Sequence, residues 1–573
     1  MEAKAKGKKS KSKLIVYIIP FIILLCSIIF RYWLFSKKIK YNYKGNMKEE
    51  LFISIDFGNS KSSFAYNFGR NKKIIIGSLR SVPSIVILNK KNYSGKNYGT
   101  KSINSISNYD EEEMNKIIYI DNLKLSLLNM INQENNVTNV NSTTSFETSK
   151  AIIEYLKLFS DEIVKEINAQ GTKYVKEAIN WIITAPRFWD DYTKMNLINL
   201  AKEAGMINIE LALDSEVASI SVLNDKIIRD ELKKNGKKFL LIDLGDHKID
   251  ISLNEIINNN IKELTIPLGG KLGSMNINND LMKVVEEVFG KETLDKVREN
   301  QFDEYLQTLK GLEDIKKKYK ENSSDYYETY AKFERKPTFF DKIKIIIYWV
   351  KGTKYFKEFN YGNYTIKIDD IKIYFPGKLI EDIIQRRVNE IIDYIKSINM
   401  YIKNYDYIVL TGGFANCGIF VNTFRKNFKN VHILSNQEYS VLEGALIYLN
   451  NKQRIYSIVS YNTYGIKINN SSNDLEILVK KGDIINSDFH IRKLIDNNSI
   501  ESDFMIFNFY KSSNEKISEK DYFGTLEINL SDYNSKEINL ILLIRFNTHL
   551  QIDVKDAITY KKVKFSFVNN SFK

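Results

Sequence analysis

Two short segments, each an apolar run that stops at Asp-x-Gly and resumes as a second strand, constrain this chain more than any other feature. The first runs from Leu51 through Asp56-Phe57-Gly58-Asn59-Ser60 to Phe68 and reads as a buried strand, a tight turn and a second strand. The second, Phe239 through Asp243-Leu244-Gly245-Asp246-His247-Lys248 to Ile251, repeats the pattern 187 residues later. Such a turn suits a phosphate. Gly58 lets the backbone approach without a Cβ, Asn59, Ser60 and Ser62 offer hydrogen bonds, and Asp56 can hold a hydrated magnesium ion. A single Asp-Phe-Gly-Asn string is most often an ordinary turn; two Asp-x-Gly hairpins suggest a duplicated domain. A third segment, from Asp406 through Thr411-Gly412-Gly413-Phe414 to Asn416, is a strand feeding a Gly-Gly turn, and a helical stretch follows through Phe428. Strand, glycine turn and helix make a common nucleotide-binding geometry, although no Gly-Lys-Ser/Thr follows as in a Walker A loop.

The formal charge of +14 invites a nucleic-acid reading, but residues 1–50 hold twelve Lys or Arg against three Glu and so carry +9 of it. The remaining 523 residues are nearly neutral, which argues against a polyanion-binding surface and for no nucleic-acid partner. Within the head, residues 14–35 form an apolar run of about 33 Å as a helix, enough to cross a bilayer. Tyr17, Tyr32 and Trp33 lie near its ends, where amphipathic rings prefer the headgroup zone. The organisation expected is a basic tail (1–13), a single-pass membrane anchor (14–35) and a juxtamembrane linker (36–50). A cleaved signal peptide is the competing reading; the run exceeds the usual h-region and no small-x-small cleavage site follows. Lys residues flank both ends, so the charge bias favours a cytoplasmic N-terminus only slightly. Two cysteines, Cys26 and Cys417, exclude a disulfide framework and a thiolate zinc site.

The order of the three turns resembles the actin-fold ATPases and, within them, the 70-kDa heat-shock protein family. Further segments carry the resemblance. Asn180 to Met206, with Thr184-Ala185-Pro186-Arg187-Phe188-Trp189, looks like that family's strand, turn and long helix. Leu213-Asp214-Ser215-Glu216-Val217-Ala218 sits where the family has Glu-Pro-x-Ala-Ala, and Pro267 to Asn278, containing Gly269-Gly270-x-x-Gly273-Ser274, has the spacing of the divergent 12A-type branch. Val441 to Tyr448 and Tyr461 to Gly465 also fit that branch.

The resemblance covers roughly residues 51–465. It implies an α/β, two-lobed actin-like ATPase fold with ribonuclease-H-like duplicated lobes, lobe I at 51–238 and lobe II at 239–465. It implies ATP and Mg2+ as cofactors. By motif position, Asp56, Gly58, Asn59 and Ser60 form the first phosphate loop, and Lys124 is the phosphate-contacting lysine or else a solvated helix lysine. Glu216 orders water and metal, Asp243 and Gly245 begin the second loop, and Asp56 and Asp243 face the metal. Gly269, Gly270, Glu334, Gly412, Gly413 and Phe414 complete the nucleotide site. Departures are concentrated in the second loop, where the family's Asp-x-Gly-Gly-Gly-Thr becomes Asp243-Leu244-Gly245-Asp246-His247-Lys248. Asp246 would repel phosphate unless Mg2+ or Lys248 offsets it, and His247, with no partner at metal spacing, reads as a turn histidine. The adenosine side keeps Glu334 but has Pro337 and Thr338 where the family has Lys-Arg.

From residue 475 to 573 short alternating runs predict an antiparallel β-domain. Its order resembles the family's peptide-binding module without a helical lid, and an apolar interdomain linker is missing. Two functions stay open: a membrane-anchored ATPase with slow turnover, a polypeptide client and an undefined co-chaperone, or a pseudo-ATPase scaffold.

Overall fold

The computed structural model describes residues 49–573, leaving aside 71, 107, 133–144, 234–235, 334–355, 399–401, 403, 469–474, 487–488, 496–503, 530–539, 547–549, 557–562, 564–565 and 570–573. The 14–35 run, the basic tail, most of the linker and Glu334 therefore lie outside the described residues. No helix among the described residues is long and apolar enough to cross a membrane.

Strand β1 (Leu51–Phe57) is buried except at Asp56, as a strand covered on both faces must be. It pairs antiparallel with β2 (Lys61–Phe68), which continues to β3 (Ile75–Ile76). On its other side lie β4 (Asn180–Ala185) and β5 (Ile209–Leu213), both parallel, giving the order β3-β2-β1-β4-β5. Helices α1 (Leu123–Asn132), α2 (Asp191–Glu203) and α3 (Asp214–Ser221) belong to this lobe. Its core gathers Phe57, Phe64, Tyr155, Phe159 and Trp181.

Lobe II repeats the plan. Strands β6 (Lys238–Leu244), β7 (Ile249–Ile257) and β8 (Asn260–Glu263) form an antiparallel meander, and β9 (Tyr407–Thr411) and β10 (Val431–Ile433) add parallel to β6. The order β8-β7-β6-β9-β10 matches that of lobe I strand for strand. The hairpin registers coincide as well, Asp56 opposite Ser63 and Asp243 opposite Asp250. Gly58, Asn59, Ser60 and Lys61 are thus the positional equivalents of Gly245, Asp246, His247 and Lys248. Helices α4 (Phe302–Lys318) and α5 (Ser440–Asn450) complete the parts of this lobe that reach the site.

Between the lobes α3 crosses α5 with almost no separation. A Cβ on Gly444 would lie 1.7 Å from the Val217 carbonyl oxygen, so only glycine permits this approach. Ser54 on β1 donates to the Leu442 carbonyl at 3.0 Å and ties α5 to lobe I.

The C-terminal β-module begins at Thr463, twelve residues before the expected boundary. Five strands (Glu476–Val479, Thr463–Ile468, Phe504–Ser512, Tyr522–Asn529, Ser566–Asn569) form one sheet, and His490–Ile495, Leu540–Phe546 and Leu550–Asp556 form a second. One strand leaves the module: Ile484–Asn486 pairs with Ile455–Val459 and extends the lobe II sheet. Phe507, Leu526 and Ile544 share a core with Val217 and Ala445. The module also touches lobe I through a buried polar knot. Asp191, first residue of α2, accepts from Lys511 at 2.8 Å and from the Leu550 amide at 3.2 Å. Burial would raise the Asp191 pKa, but Lys511 and Lys194 outweigh it and hold the carboxyl well below its usual range. Among the described residues the module packs directly on the two lobes.

Candidate functional site

The duplicated hairpins meet across a cleft of about 610 Å³. A site of this size, with convergent polar groups and perturbed titration, is the default candidate for ligand binding. Each loop turns on a glycine that admits no side chain without adjustment. A Cβ on Gly58 would stand 2.1 Å from the Lys61 carbonyl oxygen, and one on Gly245 3.0 Å from that of Lys248. The loops touch at their tips, where Ser60 Oγ and His247 Nε2 are 3.2 Å apart, and Lys61 of lobe I reaches Glu313 of lobe II at 3.3 Å. Burial lowers the His247 pKa, and its ring joins one loop to the other.

Of the residues assigned from sequence, Asp56, Gly58, Asn59, Ser60, Lys124, Asp243, Gly245, Lys248, Gly412, Gly413 and Phe414 line the cleft. Lys124 is an inward-facing group, not a solvated helix lysine: it is 5% exposed and bonds Asp214 at 3.2 Å. Gly412, at φ 89°, brings the third turn against the second loop, since a Cβ there would lie 2.5 Å from Asp243 Oδ1.

Other assignments land elsewhere. Glu216 does not line the cleft. It is buried beside Arg187 (2.7 Å), which also binds Glu263 (3.1 Å) and donates to the Val459 carbonyl. Two residues earlier on the same helix, Asp214 supplies the cleft-facing carboxylate. Gly269 and Gly270 lie behind the second loop: a Cβ on Gly269 would meet the Ile249 carbonyl at 2.2 Å. The following Gly273 packs on Asp246 in the same way, and Ser274 Oγ donates to Asp246 Oδ1 at 3.0 Å. That segment buttresses the loop instead of lining the cleft, apart from Ser274.

Sequence reasoning missed the contribution of α4. Glu313, Lys316 and Lys317 reach the cleft from its last turns. Lys316 bonds Glu313 at 2.7 Å and Ser274 at 3.0 Å. Burial would raise the Glu313 pKa, but Lys316 and Lys61 bring it down to about 2. The spacing i, i+3, i+4 puts these three on one helix face, a signal present in Glu313-x-x-Lys316-Lys317 and overlooked in favour of Glu334.

Four carboxylates crowd the inner end. Burial and the Asp250 charge push Asp243 up to about 7 against Lys248, with Asp214 and Asp56 adding to the rise. Burial likewise raises Asp56 to about 6, with Lys124 opposing and Asp214 reinforcing. Asp214 itself is lowered, because Lys124 and Lys248 outweigh its desolvation. This arrangement tests the fit of the Mg2+ that the resemblance implies. Among the described residues no group of three or more His, Cys, Asp or Glu is placed to hold a metal ion. Lys248 already pairs with Asp250 within the cleft. The residues present do not fit a metal held by protein ligands.

No family model matches the chain. It is similar to heat shock 70 kDa protein 12A of Homo sapiens (18% identity) and of Mus musculus (19%), in each case over 317 residues, 43% of this chain and 46% of the relative. It therefore spans about half the length of those relatives. Similarity to the chaperone protein HscA of Buchnera aphidicola subsp. Schizaphis graminum is 21% over 551 residues, covering 92% of this chain and 81% of that one. Among solved structures, MreB5 of Spiroplasma citri bound to ADP and the same protein bound to AMPPNP superpose with TM-scores of 0.43 and 0.42 at 15% identity. Each match covers 70% of this chain, and 97% and 96% of the MreB5 chains respectively.

Proposed function

We propose, for a chain that is a divergent relative of the 70-kDa heat-shock proteins, that the cleft binds ATP and does not turn it over at an appreciable rate. The observation that carries the binding half is the convergence of two equivalent Asp-x-Gly hairpins and the Gly412-Gly413 turn on one cavity, with Lys124 and Lys316 at its walls. Backbone that can approach a phosphate and cations on fixed elements are what a nucleoside polyphosphate needs. The turnover half rests on what the carboxylates are doing. Glu216 is committed to Arg187 and does not line the cleft, so it is not available to order an attacking water.

Calorimetry with ATP on the full-length chain should show binding. Saturation to about 100 times Kd should add about 2.7 kcal/mol to stability, read as a rise in melting temperature. A rapid-quench single turnover should give no burst of phosphate. Absence of both heat and melting shift would sink the nucleotide reading. A phosphate burst that disappears in Asp243→Asn would replace it with the slow ATPase.

We further place the chain at a membrane through residues 14–35, on the length and apolarity of that run. Alkaline carbonate washing should leave the full-length chain with the membranes and release a chain begun at Met47. Recovery of the full-length chain in the wash would remove this assignment.

A further inference from the structure

Lys61 and Lys248 close the two hairpin loops at the same position of the duplicated unit, yet they are used differently. Lys61 reaches across the cleft to Glu313 of lobe II. Lys248 turns inward. Its ammonium pairs with Asp250, the strand neighbour opposite Asp243, and stands 4.9 Å from the centre of the Phe188 ring. Asp214 and Asp243 also act on it electrostatically and help keep it charged. The positive charge is therefore held by a carboxylate, a ring face and the strand that carries it, without the freedom of a surface lysine.

Nearby, Asp214 gives one oxygen to Lys124 and leaves the other, Oδ1, buried without a hydrogen-bond partner. A fixed cation among these carboxylates supplies, from within the chain, the positive charge that a phosphate-binding cleft of this acidity requires. A divalent ion entering the same space would have to sit beside the ammonium and compete with it for Asp250. We propose that the Lys248 ammonium is the resident counter-charge for the phosphates, so that nucleotide binding by this protein does not depend on a divalent metal. The proposal rests on the nucleotide-binding reading above and specifies the ionic form of the ligand as the free, metal-unloaded polyphosphate.

The test is ATP calorimetry on the full-length protein in excess EDTA and again in excess Mg2+. The two dissociation constants should agree within roughly threefold. Lys248→Met should weaken binding in EDTA by about tenfold or more, with Mg2+ restoring most of the loss, and Lys248→Arg should stay metal-independent. Should Lys248→Met fail to fold, the comparison on the unmodified chain decides alone. A loss of about tenfold or more for the unmodified chain in EDTA overturns the proposal and leaves nucleotide binding intact. So does a Lys248→Met chain that binds in EDTA as tightly as the original. Failure to bind ATP under either condition overturns the nucleotide reading itself.

Discussion

Replacing Arg187 by Met is expected to destabilise the folded unit by about 3–5 kcal/mol at pH 8, the usual cost of leaving a buried charge without its partner. Arg187 is 8% exposed and is bonded to two carboxylates that are themselves 7% and 5% exposed, Glu216 and Glu263. Burial raises Glu263 to about 7, Arg187 working against it and Glu216 with it; burial also raises Glu216 against Arg187 and Lys194. An acid whose folded pKa exceeds its unfolded value binds more protons when folded, so stability increases as the pH falls from about 7 toward the ordinary glutamate range. Removing Arg187 raises both pKa values further and steepens that dependence. Urea unfolding should therefore show the deficit of Arg187→Met shrinking by about half or more between pH 8 and pH 5. Glu263→Gln in the same chain should recover part of the loss at pH 8. A deficit that is the same at both pH values would mean that lost packing, not uncompensated charge, is responsible.

Gly444→Ala is expected to cost about 1–3 kcal/mol through overpacking, even though alanine is the better helix former by about 1 kcal/mol. The new Cβ would lie 1.7 Å from the Val217 carbonyl oxygen and 2.5 Å from its carbon, backbone atoms that cannot rotate away. The helices must separate, and both carry cleft residues in their first turns, Asp214 on α3 and Ser440 and Val441 on α5. ATP affinity should fall by about tenfold or more alongside the melting temperature. A neutral or stabilising alanine, as helix propensity alone would give, would show that α3 and α5 do not approach as described.

The two hairpins were legible because the pattern of apolar strand, Asp-x-Gly and second strand is local, and its recurrence needs no knowledge of packing. Asp56 and Asp243 follow from it directly. Glu216 was misplaced for a reason of phase. Asp214 and Glu216 are two residues apart on a helix, so they point in nearly opposite directions, and only the packing of α3 on α5 decides which of them looks into the cleft. Lys248 was read as a neutraliser of Asp246; strand periodicity would have paired it instead with Asp250, two residues on and on the same face. Glu313, Lys316 and Lys317 announce a helix face but not what that face meets. Their partners Lys61 and Ser274 come from distant parts of the chain.

The strand Ile484–Asn486 gives the C-terminal module a role that needs no client and no nucleotide. It covers the outer side of Ile455–Val459, which would otherwise end the lobe II sheet in unpaired amides and carbonyls. Such an edge is a template for pairing with other chains. Shortening the protein upstream of this strand would uncover that edge, so the solubility of the lobe II sheet depends on the module that follows it.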